Sequence, residues 1–106
     1  GLAILTPHWM EYVLDDERVD KFVEYGVNVW GIDKDKDKYA IAHEAIDKTK
    51  EFFISLGIPM SLREVGIGEE NLEKMARAAV YHKGGTVGNF KPLVYEDVLK
   101  IYKAAL

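Results

Sequence analysis

D-K-Y-A-I-A-H-E-A-I-D-K-T-K-E-F-F-I-S-L, residues 37 to 56, is the stretch that decides the fold. Its apolar positions Ala42, Ala45, Ile46, Thr49, Phe52, Phe53 and Leu56 recur at spacings of three and four, which places them on one face of an α-helix. Gly57-Ile58-Pro59 follows, a glycine then a proline at the point where a helix should stop. Upstream, residues 16 to 30 repeat the pattern with Val19, Phe22, Val23, Gly26, Val27 and Trp30, and Asp15, Asp16 and Glu17 fall where a helix dipole favours acids. Gly31 closes that helix. Downstream, residues 69 to 82 carry Leu72, Met75, Ala76, Ala79 and Val80 behind the acids Glu69 and Glu70, and Lys83-Gly84-Gly85 ends the pattern. A last helix spans about 95 to 105, with Val98, Ile101, Tyr102 and Ala105 on one side. The chain opens on a further helix through Leu14, either kinked at Pro7 or started by the Thr6-Pro7 pair. No stretch alternates with period two for long enough to suggest a sheet. The expectation is an all-α helical bundle of four to five helices, one domain over residues 1 to 106, in which the helix of 37 to 56 packs on those of 16 to 30 and 69 to 82.

Composition narrows what such a bundle does. The 106 residues hold 14 Lys and Arg against 18 Asp and Glu, a net charge of −4, with 48% hydrophobic residues and no Cys. Without cysteine there is no disulfide, no Cys-ligated metal and no thiol nucleophile, so stability must come from the apolar core. An acidic balance argues against nucleic acid and anionic membranes as partners, since phosphate affinity comes from clustered Lys and Arg. The longest apolar run, Leu2 to Leu5, is too short to span a bilayer. An opening on Gly1, already apolar by Leu2, reads as the start of an excised piece of a longer chain.

The chemistry-bearing motifs are sparse. D-K-D-K-D-K, Asp33 to Lys38, sets acids at the first, third and fifth positions of a calcium loop with Glu44 at the twelfth. Lys38 stands where the loop needs Gly, however, and the intervening lysines oppose a cation, so a solvated interhelix loop is expected. His43-Glu44 begins like the zinc-protease H-E-x-x-H, but Asp47 stands in place of the second His. His82 reads as a residue at a helix C-terminus, favourable there when protonated. His8, beside Trp9, reads as a packing or interface residue. K-G-G-T-V-G-N, residues 83 to 89, brings backbone N–H groups within reach of a ligand but matches neither phosphate-loop fingerprint, so on its residues alone it is a connector. Trp30, Phe52, Phe53 and Tyr102 sit on the helical stripes and are expected in the core.

Three segments in order carry a resemblance: L-A-I-L-T-P-H-W-M from Leu2, F-F-I-S-L-G-I-P-M-S-L-R-E-V-G-I from Phe52, and G-N-F-K-P-L-V-Y-E-D-V-L-K-I-Y from Gly88. Together they resemble, end to end, the C-terminal helical domain of the iron-dependent alcohol dehydrogenases, closest to the butanol dehydrogenase branch. The resemblance implies a dehydroquinate-synthase-like C-terminal α domain of a larger two-domain cytoplasmic enzyme that interconverts alcohols and aldehydes. Its partner would be the N-terminal nucleotide-binding domain of the same enzyme, and the whole a homodimer. The cofactors implied are NAD(P)H, which delivers hydride, and a divalent metal, Fe or Zn, which polarises the carbonyl oxygen. The family's metal ligands are one Asp and three His, the last of them just ahead of the segment matched by Ala3 to Pro7; all would fall upstream of Gly1. No catalytic, metal-binding or cofactor-binding residue is then expected within these 106 residues, and the isolated piece is expected to be inactive.

The resemblance also implies that the loop before Gly88-Asn89 lines the substrate cavity, which singles out Gly85 and Thr86. Phe90 stands where the family usually has Pro, with the proline delayed to Pro92. The rival reading, from another class, is a free-standing acidic helical domain that binds a protein partner through an exposed apolar face.

Overall fold

Helix α1 (Leu2–Val13) runs unbroken through Pro7, which forfeits a single backbone hydrogen bond near the helix start and is itself buried. The computed structural model describes residues 2–82 and 90–106; the burial of Leu2 and His82 lies outside that description. Ile4, Met10 and Val13 are buried along α1.

Helix α2 (Val19–Trp30) begins three residues later than the sequence suggested. Asp15, Asp16 and Glu17 lie in the turn ahead of it, where the Asp15 carboxylate accepts the Arg18 N–H at 2.9 Å and the Asp15 carbonyl accepts the Val19 N–H at 2.8 Å. Asp15 thereby satisfies donors at a helix entrance that would otherwise be unpaired. Helix α3 (Lys38–Ser55) starts from Asp37, whose side chain accepts from the N–H groups of Tyr39 and Ala40, both at 3.1 Å. It ends as its sequence announces. Gly57 takes φ +79°, Ile58 N–H bonds the Phe53 carbonyl at 3.1 Å and Gly57 N–H bonds Ile54 at 2.9 Å, a paired C-terminal closure that a Cβ at residue 57 would strain.

Two short 3₁₀ turns (Arg63–Val65 and Glu69–Asn71) lead into α4 (Leu72–His82), so Glu69 and Glu70 lie in a 3₁₀ turn just outside the α-helix. Helix α5 (Tyr95–Ala104) closes the chain. Among the described residues there is no strand, only a single bridged residue at Leu93.

Packing follows two pairs. Helix α3 lies on α2 and α1, and α4 lies on α5; the close α3–α4 pairing expected from the stripes is replaced by this arrangement. Where α2 crosses α3, Gly26 lets the backbones approach: a Cβ there would stand 3.1 Å from Ile41 Cγ2 and 3.2 Å from Ala45 Cβ. Thr49, the one buried polar residue among those described, donates its hydroxyl proton to the Ala45 carbonyl at 2.8 Å. Tyr25 must then donate to Thr49 Oγ1, at 2.6 Å, because the threonine proton is already committed. The main core joins Met10, Val13, Val19, Phe22, Ala42, Ile46, Ala76, Leu93, Val98 and Ile101; a second gathers Ile4, Leu62, Leu72 and Ala105 under the α4–α5 pair.

The stripe of α3 is buried only in its first three turns. Ile41, Ala42, Ala45, Ile46 and Thr49 are buried, whereas Phe52 is 47% and Leu56 60% exposed. Phe53, Trp30 and Tyr102 are half-buried rather than central. The periodicity correctly marks the face, but beyond Thr49 nothing among the described residues covers it fully.

Candidate functional site

Two helices flank the Gly-rich stretch of residues 83 to 89: α4 leads into it and α5 follows it. Gly85 and Thr86, together with the side chain of His82, lie outside the described residues. What the structure shows is how the chain is fastened immediately after that stretch.

Phe90 packs its ring against Trp9 of α1 (centroids 5.8 Å apart) and edge-on to Phe22 of α2 (5.9 Å). The Arg18 guanidinium lies 6.0 Å from the Phe90 ring centroid, and its Nε–H donates to the Phe90 carbonyl at 3.2 Å. Arg18 is itself held by the Asp15 carboxylate at 2.9 Å, and Lys91 reaches the same carboxylate at 3.6 Å. A shallow apolar cavity of about 140 Å³ remains between Trp9, Met10, Phe22 and Phe90.

A second fastening fixes the start of α5. Val94 has no side-chain oxygen to cap the helix, and Asp97 compensates by accepting the Val94 N–H at 3.0 Å with one carboxylate oxygen. The other oxygen accepts the Tyr12 hydroxyl at 2.5 Å, tying α5 to α1. That bond, helped by burial and the carboxylate's charge, pushes the Tyr12 phenol up to about 12. The same bond and the Val94 N–H hold the Asp97 carboxyl below the usual range. Tyr12 is therefore a fixed hydrogen-bond donor at neutral pH, not a base. Sequence reasoning passed over this frame. The V-x-x-D spacing from Val94 to Asp97 was a usable signal for the cap, but nothing local links Tyr12 to a residue 85 positions away.

The remaining motifs resolve into ordinary contacts. Lys36 Nζ sits 2.7 Å from Glu44 Oε1, Asp33 accepts the Asp35 N–H at 2.9 Å, and Asp37 caps α3, so Asp33, Asp37 and Glu44 are engaged separately and not around a common point. His8 Nε2 lies 3.5 Å from the Met60 carbonyl, and His43 Nδ1 lies 3.5 Å from the Glu11 carboxylate. Among the described residues no three His, Asp or Glu side chains come together in a way that would hold a metal ion. The described side chains thus do not fit the divalent ion that the resemblance implies. Nor is any helix among the described residues long and apolar enough to cross a membrane.

With the helical architecture described, the comparisons with known proteins can be set beside it. Residues 1–106 match the C-terminal part of the Fe-containing alcohol dehydrogenase family, and the chain belongs to that family. It is 63% identical over 103 residues to the NADH-dependent butanol dehydrogenase A of Clostridium acetobutylicum, covering 97% of this chain and 26% of that protein. It is 30% identical over 106 residues to the lactaldehyde reductase of Escherichia coli K12, again covering 97% of this chain and 26% of the relative. The crystal structure of an NADH-dependent butanol dehydrogenase A from Thermotoga maritima superposes with a TM-score of 0.81 at 30% identity, over 99% of this chain and 27% of that one. The chain thus spans about a quarter of the length of the relatives it matches. A match running from end to end does not favour the rival reading of a free-standing interaction domain.

Proposed function

We propose that the longer polypeptide to which this chain corresponds is an alcohol dehydrogenase of the butanol dehydrogenase type. These 106 residues form one helical wall of its catalytic cleft. The observation that carries this reading is 63% identity, across nearly the whole chain, to a protein named as an NADH-dependent butanol dehydrogenase. Hydride transfer from NAD(P)H and polarisation of the carbonyl by Fe or Zn belong to residues outside this chain. The whole enzyme acts as a cytoplasmic homodimer whose N-terminal domain holds the dinucleotide.

Within the wall, Gly85 and Thr86 line the substrate cavity. The support is positional: the chain on their C-terminal side is fixed by Arg18, Trp9 and Phe22 through Phe90, and α5 is locked to α1 through Tyr12 and Asp97. A pocket discriminates substrates by the volume it leaves, so added bulk at residue 86 should obstruct larger alcohols more than small ones. Thr86→Phe in the full-length enzyme should lower kcat/KM for a long-chain alcohol at least tenfold more than for ethanol. Equal losses, or no loss, would remove Thr86 from the cavity.

A further inference from the structure

Arg18, in the turn between α1 and α2, is a charged residue whose side chain is only 18% exposed. Two of its contacts are local: Nη1 lies 2.9 Å from the Asp15 carboxylate and 3.1 Å from that of Glu17. The contact made by Nε–H is not local, since it donates to the Phe90 carbonyl at 3.2 Å, 72 residues away. The guanidinium also lies over the Phe90 ring, 6.0 Å from its centroid. Asp15 holds the following residue as well, through Lys91 Nζ at 3.6 Å. Because the same carboxylate accepts the Arg18 N–H at 2.9 Å, the anchor is rooted in the turn that opens α2.

The contacts divide into two jobs. Ion pairs near the surface add little to stability, so those with Asp15 and Glu17 are a weak reason for fixing a guanidinium here. What they do is aim it. An arginine carries its Nε–H and Nη–H groups in one rigid plane, and a fork held by Asp15 presents Nε–H to the Phe90 carbonyl already oriented. Ring packing does not replace this bond. Trp9 and Phe22 meet the Phe90 ring at centroid distances of 5.8 and 5.9 Å, yet Phe90 stays 37% exposed. They hold the ring, whereas the arginine holds the backbone.

We infer that Arg18 is a positioning residue for substrate selectivity: through the Phe90 carbonyl it sets where the backbone stands just after Gly85 and Thr86, and it acts through Phe90 rather than on the substrate. The inference rests on the functional reading above, which places those two residues in the substrate cavity. A misplacement of about 1 Å can cost on the order of 100-fold in rate even when the mutated residue lies far from the chemistry. The loss has a recognisable form. A wall that meets the alkyl chain of an alcohol, and not its reacting carbon, governs KM for long alcohols and leaves ethanol nearly unaffected. A merely structural role would instead shrink the active fraction and lower kcat for all alcohols alike.

The test compares the full-length, metal-loaded protein with its Arg18→Met, Asp15→Asn and Glu17→Gln variants, assayed with 1-hexanol and with ethanol. Arg18→Met keeps an apolar stem beside the Phe90 ring and removes the donor. It should raise KM for 1-hexanol about tenfold, with kcat and the ethanol KM within about twofold of wild type. The melting temperature should stay within about 3 °C. Asp15→Asn frees the guanidinium and should shift the hexanol KM in the same direction, whereas Glu17→Gln, which leaves the Asp15 pair in place, should not. A second readout needs no turnover: with Phe90→4-fluorophenylalanine in each protein, the fluorine NMR resonance should move in Arg18→Met and Asp15→Asn and stay in Glu17→Gln. An unmoved resonance in Arg18→Met, an unchanged hexanol KM, equal losses on both alcohols, or a Glu17→Gln shift as large as that of Arg18→Met overturns the inference. With an active wild type, those outcomes leave the functional reading standing. A wild type inert towards both alcohols overturns that reading, and the inference with it.

Discussion

The two halves of α3 obey the same periodic pattern and meet opposite fates. From Ile41 to Thr49 the apolar face is sealed against α1 and α2, with Gly26 allowing close approach; from Phe52 to Leu56 the same face is about half open. Both halves are helical and keep the same apolar spacing up to Ser55. What differs is the opposing surface. Periodicity reports which face a helix must bury in its complete setting, and tertiary packing decides whether a given piece of chain contains the partner.

Substitutions along this helix turn the contrast into numbers. Ile41→Ala, at a position 1% exposed, should cost about 2–5 kcal/mol in urea unfolding. Leu56→Ala in the same chain should cost under ~0.5 kcal/mol, as exposed positions do. Comparable losses at both sites would mean that the halves are equally packed and that the contrast is wrong.

Next in size is the crossing itself. Gly26→Val places branched atoms where a lone Cβ is already 3.1–3.2 Å from Ile41, Ala45 and Ile32. Ala45 has no torsion with which to retreat, so the helices must separate, at about 1–3 kcal/mol. An unchanged midpoint would show that α2 and α3 do not meet as closely as described.

The smallest effect belongs to the α1–α5 tie. Tyr12→Phe removes one part-exposed charge-assisted hydrogen bond, worth about 1 kcal/mol after allowance for solvent screening. The pH dependence has a determined sign. Asp97 titrates lower in the folded state, so its contribution is present above the ordinary carboxylate pKa of about 4 and is lost as pH falls through its depressed value. Tyr12 is raised to about 12, so its contribution is present below about pH 10 and is lost as pH rises through about 12. The difference between wild type and Tyr12→Phe should thus be flat from about pH 5 to 9 and shrink on either side. A difference that grows at either extreme contradicts the assigned bond.

Much of the fold was legible because its signals are local. Gly57-Ile58-Pro59 marked the end of α3, and the stripes of α2, α4 and α5 named residues that are buried in the structure, among them Val19, Phe22, Leu72, Ala76, Val98 and Ile101. Asp15 to Glu17 were misplaced by one turn because an aspartate bonding the N–H three residues on resembles a helix's first turn when only composition is seen. The exposure of Phe52 and Leu56 was not legible, since spacing carries no information about which opposing surface lies within the chain. At the candidate site, Gly85 and Thr86 came from resemblance and not from spacing. The frame that holds the chain beside them, Arg18 with Phe90 and Tyr12 with Asp97, joins residues 72 and 85 positions apart and leaves no local trace.

The most direct measurement of the central claim is NADH oxidation with butanal as the substrate, comparing the full-length polypeptide loaded with Fe²⁺ or Zn²⁺ against the 106-residue chain at equal molarity. The account predicts metal-dependent turnover by the former and none by the latter. Turnover by the short chain, or a folded and metal-loaded full-length protein inert towards every primary alcohol and aldehyde, would contradict it.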